Sequence, residues 1–170
     1  IISEINSNIK PAFSIITGDI SDHGTPAQYE LYLQDKQLFD GQVYTTPGNH
    51  DVRWWNANGK RTFTNQVGPL YQSFTYGGVH FVLLDTTVNF ELDGKIGKAQ
   101  LQWLKSDLDS IPADMPVILF GHHPFKINNN VTARHELLSA TKDSNVIAFM
   151  NGHVHYYGNV VEDGVPINYI

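Results

Sequence analysis

The 170 residues are 41% hydrophobic and 16% charged, the balance of a chain that folds around its own core, which excludes disorder. No apolar run reaches the length of a membrane span, and no signal-peptide pattern opens the sequence. Cysteine is absent, which excludes disulfides and thiolate metal sites, and the net charge of −6 argues against a broad nucleic-acid surface while leaving a local basic cleft open.

Ile1, Ile2, Ile5 and Ile9 recur at helical spacing, so a helix is under way at the first residue. Lys10-Pro11 stops it, and Phe13–Thr17 reads as a buried strand. A helix feeding a buried parallel strand implies an earlier strand in the same unit. Residue 1 is also Ile rather than Met, so the expectation is a chain cut at its N-terminus. Thr25, followed by Pro26 and then Gln28 three residues on, forms a capping box opening a helix to about Phe39. Val43–Thr45 is a short strand. From Val52 to Pro69 the sequence shows little periodicity and reads as a loop with room for one helical turn. Gln72–Tyr76 and Val79–Asp85 form a hairpin across Gly77-Gly78. Leu101, Leu104 and Leu108 give the next helix its apolar stripe, with Trp103 on its flank. Val117–Phe120 and Val146–Met150 are strand-length apolar runs, with a helix near Ala133–Ala140 between them. Asn159–Glu162 and Val165–Ile170 read as a hairpin around Asp163-Gly164, cut within its second strand. Mixed α and β with buried strands predicts layered sheets flanked by helices.

Four polar clusters follow apolar runs: Gly18-Asp19-Ile20-Ser21-Asp22, Gly48-Asn49-His50-Asp51, Gly121-His122-His123-Pro124 and Gly152-His153-Val154-His155. Carboxylate, carboxamide and imidazole are ligands for hard or borderline divalent metals. Strand ends in α/β sheets are where functional groups collect. Alone, the first cluster also reads as a turn and helix cap, and the second as an ordinary turn. His153 and His155, two apart in an extended segment, share a face and can point to one place. The coincidence of all four at strand ends is what favours a metal-dependent hydrolase.

In order and spacing these clusters resemble the motifs of the calcineurin-like metallophosphoesterase superfamily, from about Phe13 to the end of the chain. The resemblance implies a four-layer αββα sandwich of two mixed sheets flanked by helices. It implies two divalent or trivalent metal ions, with Mn, Fe or Zn as candidates. Asp19 would bridge them; Asn49, His122 and His153 would complete one site, and His155 would serve the other. His50, oriented by Asp22, would act near the leaving-group oxygen. The family pattern favours His122 over His123 as the ligand and leaves His123 for the outer shell or substrate. The family's opening Asp-x-His has no counterpart here. The domain is therefore expected to be incomplete over residues 1–170, lacking its first strand with that motif and its C-terminal strands. One metal site would be complete and the other partial, so this chain alone would bind one metal well and a second weakly.

The implied reaction is hydrolysis of a small phosphomonoester or phosphodiester. Alternatives on the same scaffold are a nucleotide phosphodiesterase or pyrophosphatase, a nuclease, or a non-catalytic interaction domain. Retention of ligand-type residues in four motifs disfavours the last. Asp22-His23-Gly24 departs from the Asp-Arg-Gly of Ser/Thr protein phosphatases, and Asp22 replaces the tyrosine of purple acid phosphatases. His80 is read as structural, His135 as solvent-facing, and His23 as near enough to touch substrate. Trp54 and Trp55 either line a pocket or pack the loop, and loop packing is the reading taken. Arg53, Lys60 and Arg61 either attract phosphate or are solvated. Compartment and oligomeric state are not legible.

Overall fold

The computed structural model describes residues 1–52, 58–91, 93–124, 131–162 and 164–170. Arg53, Trp54, Trp55 and Asp163, named above, lie outside the described residues. In chain order the elements are α1 (Ile2–Glu4) running into a π-helical turn (Ile5–Ile9), β1 (Phe13–Ile16), α2 (Pro26–Lys36), β2 (Gln42–Thr45), α3 (Asn49–Val52) and α4 (Gly59–Gln66). There follow β3 (Gln72–Tyr76), β4 (Val79–Leu83), α5 (Lys98–Leu108), β5 (Val117–Gly121), α6 (Val131–Thr141), β6 (Val146–Asn151), β7 (Gly158–Glu162) and β8 (Val165–Tyr169). No helix among the described residues is long and apolar enough to cross a membrane.

β1 and β2 pair in parallel from Phe13 opposite Gln42 to Ile16 opposite Thr45. The other strands form a six-stranded sheet in the order β3-β4-β5-β6-β8-β7. Its two outer pairs are antiparallel and its interior pairs parallel, so this sheet is mixed. The β3–β4 turn is closed by Gly77 and Gly78 at φ of 60° and 80°, the double left-handed geometry that matches strand twist and that glycine adopts without strain.

Side-chain alternation along the central strands produces the layers. Val82, Leu84, Val117, Leu119 and Phe149 pack against Leu104 and Leu108 of α5 and Leu137 of α6. Each such fully buried side chain contributes about 1.5–3 kcal/mol. On the opposite face the rings of Phe74 and Phe81 meet Phe13 edge-on, at 5.0 Å each, and Tyr44 stacks on Phe74 at 3.9 Å. The Thr46 hydroxyl donates to the Leu84 carbonyl at 2.7 Å, a second tie between the sheets. Beyond the small sheet, Tyr29 of α2 meets Phe63 of α4 edge-on at 5.9 Å, and the Tyr32 hydroxyl bonds that of Thr45. Helices, sheet, sheet, helices: the predicted layering holds.

Four local expectations need correction. β1 is half-buried rather than buried, because among the described residues it has β2 as its sole partner strand. Among the described residues the smaller sheet is one parallel pair rather than mixed. The capping box at Thr25 forms as expected, but α2 stops at Lys36. There Leu38 and Phe39 donate to Asp35 and Lys36, three residues back, and tighten the chain out of α-helical register. The supposed loop contains α4, eight residues long. One wholly buried ring, Phe63, anchors it while its other positions are largely polar, so no apolar stripe announces it.

Phe63→Ala removes the anchor of the Tyr29–Val52–Phe63 cluster and should destabilise the protein by about 3–5 kcal/mol. A urea titration checks this; a loss under about 1 kcal/mol would mean that α4 is held by something else.

Candidate metal centre

All four polar clusters emerge from the carboxyl ends of strands. β1 and β2, parallel neighbours, deliver Gly18-Asp19 and Gly48-Asn49-His50 side by side. β5 ends at Gly121 and β6, its parallel neighbour, at Asn151, delivering His122 and His153. Packing of the two sheets face to face brings the pairs of loops together at one edge.

Two glycines permit the close approach. Gly18 has φ of 98°, and a Cβ there would lie 2.6 Å from the Gly48 nitrogen and 2.9 Å from Nδ1 of His122. A Cβ on Gly48 would lie 2.1 Å from Oδ1 of Asp19. Any side chain at either position would push the loops apart.

The cluster centres on the buried ring of His122. Its Nδ1 sits 2.8 Å from the Thr17 carbonyl, which can only accept, so the proton is on that nitrogen. In the neutral ring Nε2 then carries a lone pair. It faces Oδ1 of Asn49 at 3.0 Å, Nδ1 of His153 at 3.1 Å and Oδ2 of Asp19 at 3.3 Å. Such a convergence of acceptor atoms is balanced by positive charge placed among them, either a proton on an imidazole or a metal ion. The carbonyl on the far nitrogen is also the usual means of orienting a histidine ligand. The donor set of two oxygens and two imidazole nitrogens therefore fits a borderline divalent metal.

Two of the candidate donors, Asp19 and His153, have pKa values below their ordinary ones. Burial of Asp19 acts to raise its pKa, but His122 and then the His50 N–H outweigh it, and the carboxyl is held below its ordinary value. His153 is lowered, first by burial and then by His122. Asp19, His153 and His155 also lie at φ of 53°, 72° and 53°, a region costly for any residue with a Cβ. The expectation that His153 and His155 share a face of an extended segment therefore fails: β6 stops at Asn151 and both histidines are left-handed.

Asp51 is wholly buried, and its carboxylate accepts from Gly48 N at 2.8 Å and from Ser21 N and Oγ at 2.9 and 2.8 Å. It thus joins the Asp19 loop to the Asn49 loop. Burial pushes its pKa up to about 6, with the hydrogen bonds from Gly48 and Ser21 opposing. His50 places Nδ1 2.9 Å from the Asp22 carbonyl and 3.2 Å from its Oδ1, so Asp22 contacts His50 through main chain as well as side chain.

Of the remaining histidines, two lie beside the cluster and two do not. His155 is exposed, and lies close enough to His153 to help depress its pKa. His122, His123 and His153 hold ligand nitrogens within 4.8 Å of one another, and the Thr86 hydroxyl holds Nδ1 of buried His123 at 2.9 Å. His80 is buried between Asp107 and Thr75, at 2.9 and 2.8 Å, and His135 is exposed. Lys60 is paired within the protein: it bonds Asp85 at 2.6 Å and the Thr87 carbonyl at 2.7 Å. Arg61 is exposed. Sequence reasoning gave no role to Thr17, Ser21 or Thr86; Ser21 lies inside the first cluster, and the other two carry no motif signal. It also gave Asp51 no role, although its place beside His50 was visible.

The family model for calcineurin-like phosphoesterases matches residues 1–157. A probable glycerophosphodiester phosphodiesterase of Arcobacter nitrofigilis is 32% identical over 88% of this chain and 59% of its own length. A cAMP/cGMP dual specificity phosphodiesterase of Mycobacterium tuberculosis is 27% identical over 99% of this chain and 56% of its own length. The chain thus spans somewhat more than half of these curated relatives. Among solved structures, a dimetal phosphatase of Danio rerio superposes with a TM-score of 0.75 at 16% identity, covering 99% of this chain and 74% of that one. This likeness concerns the fold.

Asp51→Ala should cost about 3 kcal/mol, since it strands buried donors on two loops. Asp22→Ala, at an exposed pair, should cost under about 1 kcal/mol. Paired urea denaturation curves check the contrast; equal losses would refute a stapling role for Asp51.

Proposed function

Because the chain belongs to the calcineurin-like phosphoesterase family, we propose that it provides the catalytic centre for metal-dependent hydrolysis of small phosphodiesters. The observation that carries this reading is the ring of lone-pair atoms around Nε2 of His122, with Nδ1 committed to the Thr17 carbonyl. Asp19, Asn49, His122 and His153 would hold one metal ion. Asp19 and His155 would contribute to a second, for which this chain offers fewer ligands. When bound, such ions supply positive charge that lowers the pKa of water towards neutrality and offsets charge on the phosphoryl oxygens. Their identity as Mn, Fe or Zn is open to the same donor set.

The chain's own residues supply positioning and a proton. Thr17 and Gly18 fix His122 and let Asp19 reach it. Asp51 keeps Asp19 and Asn49 in register. The main-chain carbonyl and Oδ1 of Asp22 hold Nδ1 of His50, so the opposite nitrogen, Nε2, is the one that meets the leaving group. Water loses a proton to solvent as its oxygen forms the new bond to phosphorus, the bond to the leaving oxygen breaks, and Nε2 gives its proton to the departing alkoxide and recovers one from solvent afterwards. Preference for diesters is supported by relatives named as glycerophosphodiester and cyclic-nucleotide phosphodiesterases.

Calorimetric titration of Mn²⁺ or Zn²⁺ into this chain should show one tight site and a weaker one, with the tight site lost in His122→Ala. Two tight and equal sites would overturn the assignment. His50→Ala should lower turnover on the order of 10²–10⁴-fold while sparing metal content; parallel loss of both would make His50 a ligand. In the full-length protein, cyclic AMP and a glycerophosphodiester should be hydrolysed faster than 4-nitrophenyl phosphate. A preference for the monoester would reverse the substrate class.

A further inference from the structure

Asp22 carries more than one partner. Its Oδ1 lies 3.2 Å from Nδ1 of His50, and its Oδ2 lies 2.8 Å from Nδ1 of His23. The carboxylate therefore sits between two imidazoles, although its side chain is 66% exposed. An exposed aspartate with one partner gains little from the pair and samples other rotamers. A second donor on the other oxygen removes that freedom. His23 is itself held in place. Its N–H donates to Oε1 of Gln28 at 3.0 Å, and the next residue, Gly24, donates to the Ser21 hydroxyl at 3.0 Å. That hydroxyl in turn bonds buried Asp51. Gly24 has φ of 63°, and a Cβ there would lie 2.0 Å from the Asp51 carbonyl oxygen, so the loop seats on one arrangement.

We infer that His23 is a positioning residue for the leaving-group step: it locks the Asp22 carboxylate so that Asp22 keeps the His50 ring aimed at the leaving oxygen. This rests on the reading of His50 as proton donor.

The test compares leaving groups in the full-length, metal-loaded protein. Alkyl phosphodiesters need a proton on the departing oxygen, and 4-nitrophenyl diesters do not. His23→Ala should lower kcat on the alkyl diester about five-fold with KM unchanged, and leave the 4-nitrophenyl diester within about two-fold. His23→Asn, which keeps an N–H near the Nδ1 position, should restore most of the loss. In an Asp22→Asn background His23→Ala should add nothing further.

Equal losses on both substrates, a raised KM, or additive losses with Asp22→Asn would each overturn the inference. If His50→Ala shows the leaving-group signature and His23→Ala does not, the inference fails and the role of His50 stands. If His50→Ala lacks the signature, the underlying reading fails first.

Discussion

The carboxylate of Asp51 is the contact on which the site's geometry depends. Removing a charge from water costs several kcal/mol unless hydrogen bonds replace the lost hydration. Here Gly48 and Ser21 supply main-chain N–H groups, and the Ser21 hydroxyl adds another donor. Those donors belong to two loops about thirty residues apart in sequence, so satisfying one buried charge fixes the loops against each other. Tyr29 adds to this by donating to the Asp51 carbonyl at 2.6 Å, tying α2 to the same point. Asp19, Asn49, His50 and Asp22 are all carried on the structure so fixed.

Strain is concentrated where the chemistry is proposed. Of the non-glycine residues with positive φ among the described residues, Asp19, His153 and His155 are candidate ligands. Each such residue costs of order 1–3 kcal/mol and persists only where its surroundings leave no alternative. Those surroundings are close-packed backbone, tight enough that Gly18 and Gly48 admit no side chain. The glycines of two of the motifs thus have a mechanical reason: they let loops from different strands approach until Asp19 meets His122. The same economy appears at Gly121, where a Cβ would lie 2.9 Å from a methyl carbon of Thr86, the residue whose hydroxyl holds His123.

Much of the fold was legible because its signals are local. The capping box at Thr25, the Gly77-Gly78 turn and the Leu104–Leu108 stripe each depend on residues a few positions apart, and each formed as read. Helix α4 escaped notice because its stability comes from one ring, Phe63, whose partner Tyr29 lies far away in sequence. Lys60 was ambiguous for a similar reason. Whether a lysine is solvated or paired depends on Asp85 and Thr87, which only the packing of α4 near the end of β4 brings within reach.

The sequence by itself determined the family, the layered architecture and the residue types of the site, because motif order and hydrophobic period survive in one dimension. What only the tertiary structure decided is how those residues face one another. His122 points between Asn49 and Asp19 because Thr17 claims one side of its ring, while the Thr86 hydroxyl holds Nδ1 of His123 beside the same cluster. His153 and His155 leave the strand in left-handed turns rather than along an extended segment. Asp22 serves two imidazoles instead of one. Each of these outcomes is set by contacts between strand-end loops distant in sequence, and a pattern of neighbouring residues carries no record of such contacts.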